Sequence, residues 1–177
     1  MPTPERGAGN GVTAWRWYLL AALVVAADQF TKGLATGALQ YGRPVEVLPW
    51  LNMTLQHNTG AAFSFLSDAS GWQRYFFTGI AAVISVVLVA WLYRMPRGQV
   101  LLAVGLALIL GGAIGNVWDR VSLGYVVDFI SVHWQQRYFF PAFNIADSAI
   151  TIGAACVLLD GFFAGGSENG ETRESTA

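Results

Sequence analysis

Apolar residues run along the chain in four long blocks, separated by shorter segments of mixed polarity. The blocks cover residues 15–32, 75–93, 99–118 and 142–163. Each is close to the roughly 20 residues a helix needs to cross a bilayer core. The second block carries no charge. Trp15, Trp17, Trp72, Tyr75, Trp91, Tyr93, Trp118 and Phe162 stand near the block ends, as interfacial aromatic belts do. One such block could be a buried helix of a soluble protein. Four in so short a chain predict four membrane-spanning helices around an all-α core.

The connecting segments differ. Residues 94–98 allow only a tight link between the second and third helices. Residues 33–71 are longer, and Val45, Val47, Leu51, Met53 and Leu55 recur there in rough alternation. That spacing predicts short strands with a turn at Asn58-Thr59-Gly60, a small sheet over about residues 40–66 resting on the membrane. In the last connection, Val121-Ser122-Leu123-Gly124 reads as a turn and residues 125–130 as a short extended piece. Residues 133–140, with Trp134, Tyr138, Phe139 and Phe140, suit a short segment lying in the interface. Pro141 is well placed to open the fourth helix. Residues 1–14 and 165–177 are polar or Gly-rich and read as disordered tails around one domain, 15–164. No cleavable leader is expected at the N-terminus.

Composition supports the membrane reading. The chain is 54% hydrophobic and 12% charged, against about 25% charged in soluble domains. The formal net charge of −1 gives no case for nucleic-acid binding. The one cysteine, Cys156, can form no internal disulfide and reads as a small packed hydrophobe. Arg94 and Arg97 in the 94–98 link favour the cytoplasm for that end, which puts both termini inside, with Arg6 and Arg16 agreeing. Lys32, Arg43, Arg74, Arg120 and Arg137 then fall outside, against the trend.

The scarce polar residues converge whichever way the chain is oriented. Asp28 and Lys32 end the first helix, and Asn58 and Gly60 follow it. Asn116, Asp119 and Arg120 end the third. Asp128 comes next, and Asn144 and Asp147 lie at the start of the fourth. In an up-down bundle all share one membrane face. Asp28 and Lys32, four apart, predict a structural ion pair along one helix face. Asp119 and Arg120, being adjacent, must find other partners. Asn58 and Gly60 are also ordinary turn residues, and Asn116 and Asn144 could cap or cross-brace helices. Asp128 and Asp147 stand apart, each among apolar neighbours without a nearby base. Counted from Ala142, Asp147 would lie roughly 7–8 Å inside its helix. Two desolvated carboxyls share a proton and titrate as a unit. Such a pair can do acid–base chemistry on an amide, or can be two satisfied structural carboxylates.

Other chemistries find less support. There is no Gly-x-Ser-x-Gly motif, phosphate loop or close His pair, and His57 and His133 establish neither a triad nor a metal site. A proton-coupled transporter would more often carry mid-bilayer charge and repeat halves. A non-catalytic assembly factor, its polar cluster only holding helices together, is the other rival.

Five ordered blocks add a resemblance. Asp28-Gln29-Phe30-Thr31-Lys32, Asn58-Thr59-Gly60-Ala61-Ala62-Phe63-Ser64, residues 111–120 (GGAIGNVWDR), Gly124-Tyr125-Val126-Val127-Asp128-Phe129 and Phe143-Asn144-Ile145-Ala146-Asp147-Ser148 resemble the signature blocks of bacterial lipoprotein signal peptidase, or signal peptidase II, over roughly residues 15–164. The resemblance implies an aspartyl intramembrane endopeptidase of the bacterial inner membrane, with four spans and a site facing outward. It implies cleavage of diacylglyceryl-modified prolipoproteins just before the lipidated cysteine. It places the catalytic dyad on Asp128 and Asp147. Substrate binding or site shaping falls to Asn58, Gly60, Asn116, Asp119, Arg120 and Asn144, and structural support to Asp28 and Lys32. The sheet becomes a substrate cradle and residues 133–140 a lid-like interfacial helix. The cyclic peptide globomycin is the expected inhibitor. No cofactor, metal or nucleic acid is implied, and the expected state is a monomer.

Overall fold

The computed structural model describes residues 11–60 and 72–174. Four helices dominate: α1 (Gly11–Ala38), α2 (Trp72–Arg94), α3 (Val100–Ser122) and α4 (Ile145–Glu174). Each is long and apolar enough to cross a membrane. Their outer faces show why they need lipid. Val83, Val86 and Val87 on α2, and Leu158, Leu159 and Phe162 on α4, are all at least half exposed, an arrangement water would oppose.

The most apolar helix, α3, sits at the centre and packs on α4, α1 and α2. Its small residues permit this. A Cβ on Gly105 would lie 2.8 Å from the Gly153 carbonyl oxygen, so α3 and α4 approach nearly backbone to backbone. The two ends of the bundle are packed differently. Near the link between α2 and α3, Ala21, Leu88, Leu92, Met95, Ala103, Leu106 and Leu110 form an apolar core. At the opposite end a buried polar cluster, Asp28, Lys32, Asn116, Asp119, Asp128 and Asn144, lies among buried Val126, Val127, Phe129 and Ala146.

A four-stranded antiparallel sheet lies over that polar end, in the order β1 (Val45–Leu48), β2 (Leu51–Asn58), β3 (Val126–Trp134), β4 (Tyr138–Phe139). The strands expected within 40–66 are therefore joined by two more from the later connection; residues 61–66 lie outside the described part. Gln56 pairs with Asp128 and Asn58 with Val126. Phe143 bridges to Ile130, its N–H donating to the Ile130 carbonyl at 3.0 Å and its carbonyl accepting from the Ile130 N–H at 2.9 Å. That bridge fixes the start of α4 against β3.

Two details correct the sequence reading. Residues 133–140 form no helix. His133 and Trp134 end β3, Gln135 and Gln136 turn with φ of 52° and 55°, and Tyr138 and Phe139 pair back. The Arg137 N–H donates to the Trp134 carbonyl at 3.0 Å, closing a hairpin turn that matches strand twist. The aromatic residues that suggested an interfacial helix favour a pleated surface equally well, and His133, 3% exposed against Asn52, points inward. Secondly, α4 begins at Ile145, so Pro141 precedes the helix without opening it. At its other end α4 continues to Glu174, over part of the stretch read as a tail. Residues 1–10 and 175–177 of the expected tails lie outside the described residues.

Candidate active site

The polar end is built around the start of α4. Asn144 is its N-cap: its Oδ1 accepts from the Asp147 N–H at 2.9 Å, and its own N–H donates to Asp147 Oδ2 at 3.3 Å. This reciprocal pair is a capping box with aspartate in the third position. It also corrects the depth expected for Asp147, which sits in the first turn rather than a turn and a half inside. Asp28 of α1 reaches the same helix end, its Oδ1 accepting from the Ala146 N–H at 2.9 Å. The positive end of the α4 dipole thus faces two carboxylates.

Asn144, fully buried, also joins the candidate pair. Its Nδ2 donates to Asp128 Oδ1 at 2.8 Å, and more weakly to the Val127 carbonyl and Asn116 Oδ1 at 3.3 and 3.2 Å. Asn58 Nδ2 donates to the other oxygen of Asp128 at 3.0 Å. Asn116 Nδ2 donates to Asp147 Oδ1 at 2.7 Å. Each aspartate is therefore held by side-chain amides, and one asparagine touches both. Gly60, at φ 101°, lets its N–H turn back onto Asn58 Oδ1 at 2.9 Å, which fixes the Asn58 amide toward Asp128.

Below this pair lies an ionic layer. Lys32 Nζ stands 2.8 Å from both Asp28 Oδ2 and Asp119 Oδ2 and donates to Asn116 Oδ1 at 3.0 Å. Asp119 also accepts from the Val127 N–H at 3.1 Å, tying the end of α3 to β3. Asp28 and Lys32 form the pair their spacing implied, and Asp119 and Arg120 do have separate partners. Arg120 donates to the Asn116 carbonyl at 3.3 Å and lies over the Phe77 ring. Gln29 is the residue sequence reasoning passed over. Its Nε2 reaches Asp119 Oδ1 at 2.8 Å, Asp28 Oδ2 at 3.2 Å and the Gly115 carbonyl at 3.3 Å. The available signal was an amide beside Asp28 in an otherwise apolar helix.

All ten residues singled out from sequence thus fall at one end of the bundle. Two cations, Lys32 and Arg120, face four carboxylates there, so the site has reason to hold a proton. Burial, and then the Asp147 charge, push the Asp128 carboxyl up from 3.8 to about 7. The hydrogen bonds from Asn58 and Asn144 oppose this without cancelling it. Asp128 opens onto a cavity of about 280 Å³ lined by Gln56, His57, Asn58, Thr59, Pro141 and Ala142. No group of three His, Cys, Asp or Glu that could hold a metal occurs among the described residues.

A family profile described as "Signal peptidase (SPase) II" matches residues 20–163. The chain belongs to the signal peptidase II family. It is 60% identical over 147 residues to a lipoprotein signal peptidase of Acinetobacter baumannii, covering 83% of each chain. To a lipoprotein signal peptidase of Pseudomonas putida it is 54% identical over 170 residues, 96% of this chain and 98% of that one. Among solved structures it is similar to a bacterial membrane enzyme determined by the in meso method at 2.3 Å. That match has a TM-score of 0.70 and 36% identity over 81% of this chain and 85% of the other. Signal peptidase II membership makes the chain a membrane peptidase. The matched region takes in α2, α3, the sheet and most of α1 and α4, so the whole polar cluster lies inside it.

Proposed function

We propose that this signal peptidase II is an aspartyl intramembrane endopeptidase. It removes the signal peptide from prolipoproteins carrying diacylglycerol on a cysteine, hydrolysing the peptide bond just before that cysteine. The observation that carries the reading is Asn144 donating to both carboxylates, its side-chain amide to Asp128 and its backbone N–H to Asp147, with the Asp128 carboxyl pushed up to about 7.

In this mechanism the two aspartates hold one proton between them. The ionised member takes a proton from water as the water oxygen attacks the scissile carbonyl carbon. The protonated member gives its proton to the carbonyl oxygen. Collapse of the tetrahedral intermediate breaks the C–N bond, and a carboxyl proton passes to the leaving nitrogen, which becomes the amino group of the lipidated cysteine. The signal peptide leaves with a new carboxylate. Asn58, held by Gly60, and Asn144 orient Asp128, while Asn116 orients Asp147. Lys32, with Asp28 and Asp119, supplies the fixed ionic layer beneath, and Arg120 adds positive charge near the reacting carbonyl. No metal takes part.

Location supports this substrate. The acyl chains of a lipidated cysteine hold its backbone near the headgroup level. Asp147 in the first turn of α4 and Asp128 near the start of β3 meet it there. With Arg94 and Arg97 at the opposite end of the bundle, the termini are cytoplasmic and the site faces outward. The inhibitor globomycin, a cyclic peptide, competes for the same cavity, and the monomer is sufficient because one chain supplies both aspartates.

The test uses purified chain in detergent with a diacylglyceryl-modified precursor and its unlipidated twin. Mass spectrometry should find a product beginning at the lipidated cysteine, no cleavage of the twin, and no change with EDTA. Cleavage at another bond, or equal cleavage of both precursors, would overturn the substrate assignment. EDTA inhibition reversed by added metal would overturn the metal-free chemistry.

A further inference from the structure

Each aspartate of the proposed pair follows a residue whose backbone N–H is held by a buried carboxylate. Ala146, just before Asp147, donates to Asp28 Oδ1 at 2.9 Å. Val127, just before Asp128, donates to Asp119 Oδ2 at 3.1 Å. The spacing of Asp28 and Asp119 therefore bears on the spacing of Asp128 and Asp147. Asp28 and Asp119 are 0% and 1% exposed and of like charge, so they stay together only with donors between them. Two side chains of α1 stand there. Lys32 Nζ lies 2.8 Å from Asp28 Oδ2 and 2.8 Å from Asp119 Oδ2. Gln29 Nε2 donates to Asp119 Oδ1 at 2.8 Å and to Asp28 Oδ2 at 3.2 Å. The Gly115 carbonyl, at 3.3 Å, is its third acceptor. A Cβ on Gly115 would come within 2.7 Å of Asp28 Oδ2, so the missing side chain lets α1 and α3 close around the amide.

We propose that Gln29 is a positioning residue for the hydrolysis, acting through Asp28 and Asp119 to hold Asp128 and Asp147 at their working separation without adding charge. The proposal rests on the aspartyl reading above and goes beyond it. Lys32 already brings one positive charge between the two supporting carboxylates. A second cation at position 29 would balance the other one, and its field would favour the ionised form of Asp128, which has to carry a proton. An apolar side chain would take the donor away from Asp119 Oδ1 and loosen the hold of Asp119 on Val127. An amide bridges two carboxylates and leaves the charge as it was. Gln29 is not among the described residues lining the cavity beside Asp128, so it acts on the geometry of the pair rather than on substrate binding. A misplacement of about 1 Å in a reacting group costs about a hundredfold in rate, and this clamp holds the residue before each acid.

The experiment measures cleavage of a diacylglyceryl-modified precursor against pH by the full chain in detergent. It compares wild type, Gln29→Leu, Gln29→Lys and the neighbouring control Phe30→Ala, Phe30 being 66% exposed. Gln29→Leu should lower kcat about 10- to 100-fold with KM within about twofold. Gln29→Lys restores a donor and should recover much of that loss on the acid side. On the alkaline side its rate should fall about one pH unit earlier than that of wild type, the scale of one added charge nearby. Phe30→Ala should match wild type. A merely structural role would lower the melting temperature and leave kcat per folded molecule and the pH profile alone. An unchanged kcat in Gln29→Leu, a change confined to KM, or a Gln29→Lys profile that overlays wild type overturns the proposal. So does an equal loss in Phe30→Ala. Gln29→Lys carries the test if Gln29→Leu does not fold. A second readout needs no substrate: the pH dependence of the melting temperature carries the Asp128 proton, and in Gln29→Lys it should shift about one unit toward acid. No shift overturns the proposal. A wild-type chain that does not cleave would be a failure of the peptidase reading, and the melts would then judge the clamp by themselves.

Discussion

Replacing Asp128 with asparagine removes a buried titrating carboxyl while keeping its size. In the fold that carboxyl is pushed from 3.8 to about 7, by burial first and by Asp147 second. The folded chain therefore holds a proton that the unfolded chain releases. The stability this contributes is fully present below pH 3.8 and is lost as pH rises to about 7. Between pH 5 and pH 8 the loss spans about two pH units at roughly 1.4 kcal/mol each, or about 3 kcal/mol. Asparagine does not titrate, so the difference between wild type and Asp128→Asn must drift by that amount. A constant cost opposes it. Asn58 and Asn144 both donate to Asp128, and an amide can accept from only one of them, which costs about 1–3 kcal/mol at any pH. The variant should melt below wild type at pH 5, and at pH 8 the gap should close or invert. At about 2–4 °C per kcal/mol for a chain of this size, the gap moves by about 6–12 °C. Tryptophan-fluorescence melts in detergent at the two pH values measure it. A gap that stays constant would mean that Asp128 carries no buried proton, and the shared-proton account would fail.

Other perturbations probe the surrounding frame. Lys32→Met leaves Asp28 and Asp119 buried without the cation that stands 2.8 Å from each, and should destabilise by about 3–5 kcal/mol in denaturant melts. Gly115→Val places a Cβ 2.7 Å from Asp28 Oδ2; it should displace the Asp28 cap from Ala146 and abolish cleavage while Gly33→Val, with open space around its Cβ, is tolerated. In a Cys156→Ala background, a cysteine at Arg43 should label from outside intact cells and one at Arg97 only after permeabilisation; the reverse pattern would invert the proposed orientation.

The helices were legible because hydrophobic length is a coarse signal that lipid enforces directly. The convergence of Asp28, Lys32, Asn116, Asp119, Asp128 and Asp147 was legible for a related reason: an up-down bundle leaves few places for charges at helix ends. What escaped was set by tertiary pairing. Residues 133–140 look equally suited to an interfacial helix or a hairpin, and only the partner edge of β3 decides. The start of α4 was misplaced because Pro141 is a strong local signal, whereas the true cap, Asn144, is defined by its exchange with Asp147. Reading Asn144-x-x-Asp147 as a capping box would have found it. Gln29 escaped because its importance lies in partners about ninety positions away.

The central claim is that Asp128 and Asp147 together perform hydrolysis, and single-turnover cleavage of a diacylated prolipoprotein by Asp128→Asn and Asp147→Asn tests it most directly. Both variants should retain a cooperative melt and lose cleavage by at least about a thousandfold, the scale expected when one member of a catalytic pair is removed. Wild-type-like cleavage by either folded variant would contradict the account.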